Sequence, residues 1–184
     1  MESNNIKNLR TGSSTARAEI PDQLKRNDKL RYILIRKDEK KKLPVEKEWQ
    51  IKRNYAANEP KLRGWIRGGG NYGVLTGLGS LVVFDADEVE HLNQLGVLKK
   101  LPETFTVRTG GGGLHFYYYC KGLQKKIVLS DPVLMEEDGT TPLHLGEIQA
   151  KGEFVIGPGS LHRTGKRYEI INDAEIAEIE YEQL

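Results

Sequence analysis

Leu81-Val82-Val83-Phe84-Asp85-Ala86-Asp87 is a run of four apolar residues ending in two carboxylates separated by one residue. Alternate side chains of an extended strand share a face, so Asp85 and Asp87 point the same way at the mouth of a sheet. Carboxylates paired in this way suit a hard divalent cation. The same heptapeptide also fits a strand running into a solvated, Asp-rich turn, so its meaning depends on its neighbours in the chain.

The 184 residues suit one compact domain. Lys and Arg number 28 against 26 Asp and Glu, and the resulting +2 indicates no partner by itself. Positive residues crowd the segment from Lys37 to Arg67, while Asp173 to Glu180 is acidic. A local basic face of this kind can hold a polyanion, although a solvated charged surface explains any single lysine equally well. Cys120 is the only cysteine, which excludes a disulfide within the chain and a Cys-cluster zinc site. No stretch approaches the roughly 20 apolar residues that span a bilayer, and the polar N-terminus lacks the apolar core of a secretion signal. A cytoplasmic protein without membrane attachment is expected.

Residues 1–18 lack periodicity and read as a flexible N-terminus, leaving 19–184 as a single domain. Leu30 to Arg36 reads as a strand followed by a charged turn through Lys42. Glu59 to Arg67 reads as a short helix stopped by Gly68-Gly69-Gly70. Tyr72 to Thr76 and Leu81 to Phe84 read as a hairpin joined through Gly77-Leu78-Gly79. Val89, Leu92, Leu95 and Leu98 are spaced for a helix over 89–100. Strands are expected over 105–108, 114–120, 127–129, 145–149, 154–156 and 168–171, and a closing helix over 173–181. Many strands without regular βαβ alternation indicate an α+β domain built on a mainly antiparallel sheet.

Three segments add chemistry. Arg108-Thr109-Gly110-Gly111-Gly112-Gly113-Leu114-His115 sets a glycine-rich loop before a strand whose first residues include a histidine. Glycines such as Gly112 and Gly113 let backbone N–H groups approach phosphate oxygens, with Arg108 and His115 beside them. No Gly-Lys-Ser/Thr follows, so this is not a Walker A loop, and a plain hairpin turn fits it too. Leu145-Gly146-Glu147-Ile148-Gln149 carries one carboxylate in an apolar strand. A half-buried Glu147 needs a partner or a metal, unless it simply faces solvent. Gly157-Pro158-Gly159-Ser160-Leu161-His162 places two hydrogen-bonding side chains, Ser160 and His162, at what is either a nucleotide contact or a tight turn.

Taken in order, these segments resemble the archaeo-eukaryotic primase superfamily, specifically the primase-polymerase branch of plasmids, viruses and other mobile elements. The resemblance is carried by Gly69 to Gly77 running into Val82 to Asp87, by Thr106 to Tyr117, by Gly146-Glu147-Ile148 and by Phe154 to His162. It extends upstream to Lys42-Leu43-Pro44 with Trp49 and downstream to Gly165 and Tyr168.

The resemblance implies an RRM-like, mainly antiparallel sheet with a smaller N-terminal α/β lobe. It implies template-directed nucleotidyl transfer by a DNA primase or DNA polymerase, with Mg²⁺ or Mn²⁺ held by Asp85, Asp87 and Glu147. His115 matches the histidine at the incoming triphosphate, and Arg108, Gly112, Gly113, Ser160 and His162 fall along the nucleotide pocket. The family commonly has Asp where Glu147 stands, and often Ser or Thr where Gly113 stands. Implied partners are nucleoside triphosphates, a single-stranded DNA template with its primer, and a helicase or C-terminal accessory domain. Lys52, Arg53, Tyr55, Lys61, Arg63 and Arg67 are candidate DNA contacts, through phosphates and base stacking. A metal-dependent nuclease or phosphodiesterase, and a non-catalytic single-stranded nucleic-acid-binding module, are the alternatives. A binding module has no need of Asp85, Asp87, Glu147 and His115 together.

Overall fold

The computed structural model describes residues 18–37 and 42–184, so the expected flexible N-terminus lies outside the described residues up to position 17. Its elements are α1 (Asp22–Lys25), β1 (Tyr32–Ile35), α2 (Pro60–Arg67), β2 (Asn71–Leu75), β3 (Leu81–Ala86), α3 (Val89–Gln94) and β4 (Thr106–Arg108). There follow β5 (Leu114–Tyr119), β6 (Ile127–Met135), β7 (Pro142–Gln149), β8 (Phe154–Ile156), β9 (Glu169–Asn172) and β10 (Ala177–Glu178). The domain is mixed α+β with mostly antiparallel sheets and few helices.

Two sheets divide the strands. β1, β2 and β8 form a small antiparallel sheet, and the large sheet runs β6-β7-β3-β5-β4-β9, with β10 parallel to β5. The smaller lobe is therefore not wholly N-terminal, because it recruits β8 from the second half of the chain. The central strands of the large sheet are buried on both faces, while β6 and β9 at its ends are largely exposed. Leu81, Val83, Val107 and Tyr117 share one cluster with the small sheet, while Val82, Phe84, Tyr118 and Ile148 pack with Leu92 of α3 in another. Period-2 alternation along β3 sorts its side chains between these two cores.

Local sequence explains most elements. In α2, Pro60 sits at the first turn, Leu62 and Ile66 are buried one turn apart, and Gly68 ends the helix. All four residues of β1 and all five of β2 are buried, as their β-branched and aromatic content anticipates.

Three expectations fail. β2 and β3 do not form a hairpin: Gly77 and the 3₁₀ turn after it carry the chain from the small sheet to the large one. The helix expected over 89–100 stops at Gln94, since Gly96 takes a left-handed φ of 71°, and a 3₁₀ turn covers Leu98–Lys100. No helix forms over 173–181. Ile176 and Ile179 are buried, and the Ile179 N–H donates to the Tyr119 carbonyl at 3.0 Å, so sheet pairing overrides helix propensity there.

Two glycines separate strain from slack. Gly146 in β7 has φ 150°, and a Cβ there would stand 2.3 Å from the Asp85 carbonyl oxygen. Gly64 in the exposed part of α2 has open space around it. Gly146→Ala is expected to destabilise the domain by ~1–3 kcal/mol, and Gly64→Ala to stabilise it by ~0.5–1 kcal/mol. Chemical denaturation measures both, and equal shifts would contradict the backbone contact at Gly146.

Candidate active site

β3 lies between β7 and β5, and its register sets Asp85 directly opposite Glu147 on one side and His115 on the other. Directly opposed residues of antiparallel strands share a face, with Cβ atoms about 5 Å apart. Asp85, Glu147 and His115 thus stand in a row across three strands, on the face turned to the small sheet. Asp87 follows two residues on.

The histidine is almost wholly enclosed, at 1% exposure. Its Nε2 lies 3.3 Å from Asp85 Oδ1, too misaligned for a hydrogen bond, so both ring nitrogens lack a hydrogen-bond partner. Tyr117 and Tyr168 hydroxyls are the other buried side-chain polar atoms without one among the described residues. All four atoms belong to residues clustered about Asp85: the His115 ring lies 5.6 Å from that of Tyr168 and 6.3 Å from that of Tyr117. Unpartnered buried polar atoms are rare, and these gather beside Asp85, where water or a polar ligand can satisfy them.

The two aspartates titrate in opposite directions. Burial raises the Asp85 carboxyl, but its close polar interaction with His115, followed by the charges of Lys42 and His144, outweighs this and holds the group below its ordinary value. Asp87 is raised, first by burial and then by the charge of Asp85, against the pull of His144 and Lys42. His144 Nε2 stands 3.3 Å from Asp87 Oδ2. Glu147 is gripped instead by Lys126 Nζ at 2.8 Å and by the Gln149 side-chain amide, which donates at 2.6 Å. Consequently no three His, Cys, Asp or Glu side chains among the described residues gather tightly enough to hold a metal ion as they stand.

Two loops close the far end. A Cβ on Gly110 would meet the His162 Cβ at 2.2 Å, so glycine there lets the His162 loop lie on the glycine-rich loop. Thr164 Oγ1 donates to the Gly110 carbonyl at 2.8 Å and fastens the two together. His162 then meets Tyr168 edge-on at 5.8 Å, while Lys42 Nζ lies 6.0 Å from the centre of the same ring. Burial, with help from Lys42 and Arg163, lowers the His162 pKa.

The sequence model of the bifunctional DNA primase/polymerase N-terminal domain matches residues 25–181. The chain belongs to that family. Among curated proteins, none matches it by sequence. Membership in the primase/polymerase family implies nucleotide and DNA substrates and points to a nucleotidyltransferase type of enzyme. No helix among the described residues is long and apolar enough to cross a membrane.

Not every residue expected at a primase/polymerase site reaches it. Arg108 pairs with Leu114, not His115, so it points to the opposite face of the sheet, where Nη1 lies 3.4 Å from Glu169. Ser160 is fully buried and its hydroxyl accepts the Tyr72 N–H at 3.3 Å, which makes it a tie between loop and β2. Gly112 has open space where a Cβ would stand, whereas Gly113 is dictated by packing, since a Cβ would lie 2.6 Å from the Ala86 carbonyl oxygen. A Ser or Thr at 113 would meet that backbone. Of the expected DNA contacts, Tyr55 is buried with its hydroxyl donating to Glu46, so it offers no face for stacking. Lys61 and Lys52 are ion-paired with Glu46 and Glu48. Arg53 is exposed, and Arg63 and Arg67 line a groove beside α2, away from the carboxylates.

Four residues escaped the sequence reading as site residues: Lys42, Lys126, His144 and Tyr168. Lys42 and Tyr168 stood within the family resemblance but carried no motif chemistry of their own. His144 is hidden by parity. A spacing of three from Glu147 puts it on the opposite face of a regular strand, but the register shift beside Gly146 restores it to the same one.

The opposite shifts of the aspartates have a thermodynamic sign. A depressed carboxyl stabilises the fold above its unfolded pKa, near 4, and loses that as pH falls through the folded value; a raised one costs stability at neutral pH and is relieved as pH falls. In chelator at pH 7, Asp87→Asn is expected to raise the thermal midpoint and Asp85→Asn to lower it. Shifts of one sign for both variants would contradict the charge environment described.

Proposed function

We propose that the chain is a template-directed nucleotidyltransferase, a DNA primase or primer-extending DNA polymerase that copies single-stranded DNA from nucleoside triphosphates. Its setting would be replication of a plasmid, virus or other mobile element. The observation that carries this reading is the row Glu147–Asp85–His115 on one sheet face, in which both His115 ring nitrogens are unpartnered, with the unpartnered hydroxyls of Tyr117 and Tyr168 beside it.

The donor chemistry fits Mg²⁺ or Mn²⁺, which prefer carboxylate and phosphate oxygens. Asp85, Asp87 and Glu147 would hold the ions, Glu147 by exchanging Lys126 for metal. Bound there, such ions would lower the pKa of a primer 3′-hydroxyl and neutralise charge on the triphosphate. The chain's own groups do the rest. His115, buried and without a hydrogen-bond partner, donates to a phosphate oxygen. Lys42 supplies positive charge on the same side, above Tyr168. His162 and Tyr168 wall the nucleotide against the glycine-rich loop, and Ser160 acts only by holding that wall to β2. Lys126, now paired with Glu147, would be left to pair with the triphosphate or the leaving pyrophosphate if a metal took its place.

Incorporation of labelled nucleotides on primed and unprimed single-stranded DNA, with Mg²⁺ or Mn²⁺, tests the assignment. Asp85→Asn is expected to lose synthesis at least ~100-fold, the order seen when one transition-state contact is removed. Cleavage of labelled DNA in Mn²⁺ without nucleotides is expected to be absent. Full synthesis by Asp85→Asn, or cleavage in place of synthesis, would overturn the reading. A hydrogen bond to a charged group is worth roughly 1.5–3 kcal/mol, so His115→Ala and Lys42→Ala should each raise the nucleotide KM at least about tenfold. An unchanged KM would remove that residue from the pocket.

A further inference from the structure

The loop that carries His162 toward the carboxylates has a second side. Leu161 bridges to Arg167, and the Asn71 side chain both donates to the Leu161 carbonyl and accepts its N–H, at 2.8 Å each. Behind this junction lies a cavity of about 260 Å³, lined chiefly by Lys37, Gly69, Gly70, Asn71, Leu161 and Arg167. Two of its lining residues are cationic and none is acidic.

Arg167 is held in place by the backbone, and Lys37 has room beside Gly69. Gly69 has φ +81°, and a Cβ there would stand 3.2 Å from Lys37 Nζ, so the bare backbone makes room for the ammonium. Arg167 Nη1 donates to the Gly159 carbonyl at 2.6 Å, which fixes the guanidinium and leaves its other N–H groups for a ligand. Neither side chain has an ion-pair partner among the described residues. Arg36, Arg163 and Lys166 add exposed positive charge on the flanking segments. Pockets for whole small molecules run to roughly 300–1,000 Å³. At about 260 Å³ this one lies just below that range and has room for a phosphate group with its bound waters.

We propose that the cleft between Lys37 and Arg167 holds a backbone phosphate of the single-stranded DNA that the enzyme copies. This rests on the synthetic role argued above. The strand would run over the outer side of the 157–168 loop while the nucleotide sits on its inner side, so one loop sets the distance between template backbone and catalytic carboxylates. The basic contact then moves from Lys52 and Lys61, which are paired internally, to Lys37 and Arg167.

Fluorescence anisotropy of a labelled single-stranded oligonucleotide, titrated over salt in chelator without nucleotides, tests the proposal on the full chain. Each phosphate contact contributes about 0.7 to the slope of log K against log salt, so Lys37→Ala/Arg167→Ala should lower that slope by about 1.4. Its affinity at low salt should fall at least about tenfold. Arg167→Lys, which keeps the charge, should retain the wild-type slope, and Lys99→Ala/Lys100→Ala, on the α3 side, should change nothing. A wild-type slope and affinity in the double alanine variant, or an equal loss in the Lys99/Lys100 variant, would overturn the proposal. So would protection of the wild type, but not the double variant, by inorganic phosphate with DNA binding unaltered, because the cleft would then serve a free anion. Asp85→Asn should bind DNA normally here, so failure of the cleft and failure of the synthetic role are read separately.

Discussion

The register of β3 between β5 and β7 is the constraint on which the domain's chemistry depends. Glu147 and His115 lie about 30 residues apart from each other and, respectively, about 60 and 30 from Asp85 along the chain, yet antiparallel pairing makes both direct neighbours of it. A slip of one residue would turn the carboxylates onto the opposite face and set Phe84 in their place. The slip is opposed by the two cores, since Leu81 and Val83 must face the small sheet while Val82 and Phe84 face α3. Packing at the apolar end of β3 therefore fixes the geometry at its polar end.

The polar end strains against that packing. Asp87 is disfavoured as a charge, and His115 is buried without a hydrogen-bond partner, each of which costs stability in the free protein. Lys42 and Lys126 offset part of this by bringing positive charge to the carboxylates, and His144 Nε2 lies against Asp87. Such compensation suits a site that exchanges internal partners for a metal and a polyanion. The salt link between Glu147 and Lys126 is the clearest case, because breaking it frees an acceptor and a donor together.

Much of this was legible in the chain. The strands at β2, β3, β5 and β8 follow from apolar and β-branched runs, and Asp85, Asp87 and Glu147 follow from carboxylates set at strand ends or within strands. What escaped has identifiable causes. A closing helix is expected over 173–181, but the burial of Ile176 and Ile179 is satisfied by pairing beside β5. Arg108 lies close to the glycine-rich loop in sequence, and strand parity nonetheless sends it to the other face. His144 needed the irregularity at Gly146, a backbone feature that residue spacing does not reveal. Tyr55 had the composition of a stacking platform but fills the core beneath α2.

The most direct measurement of the central claim is anomalous diffraction from crystals grown with Mn²⁺ and a non-hydrolysable nucleoside triphosphate. The account predicts Mn²⁺ bound by Asp85, Asp87 and Glu147, with Glu147 released from Lys126 and a phosphate oxygen at His115 Nε2 or Nδ1. Manganese held elsewhere, or Glu147 still joined to Lys126 with the triphosphate remote from His115, would contradict it.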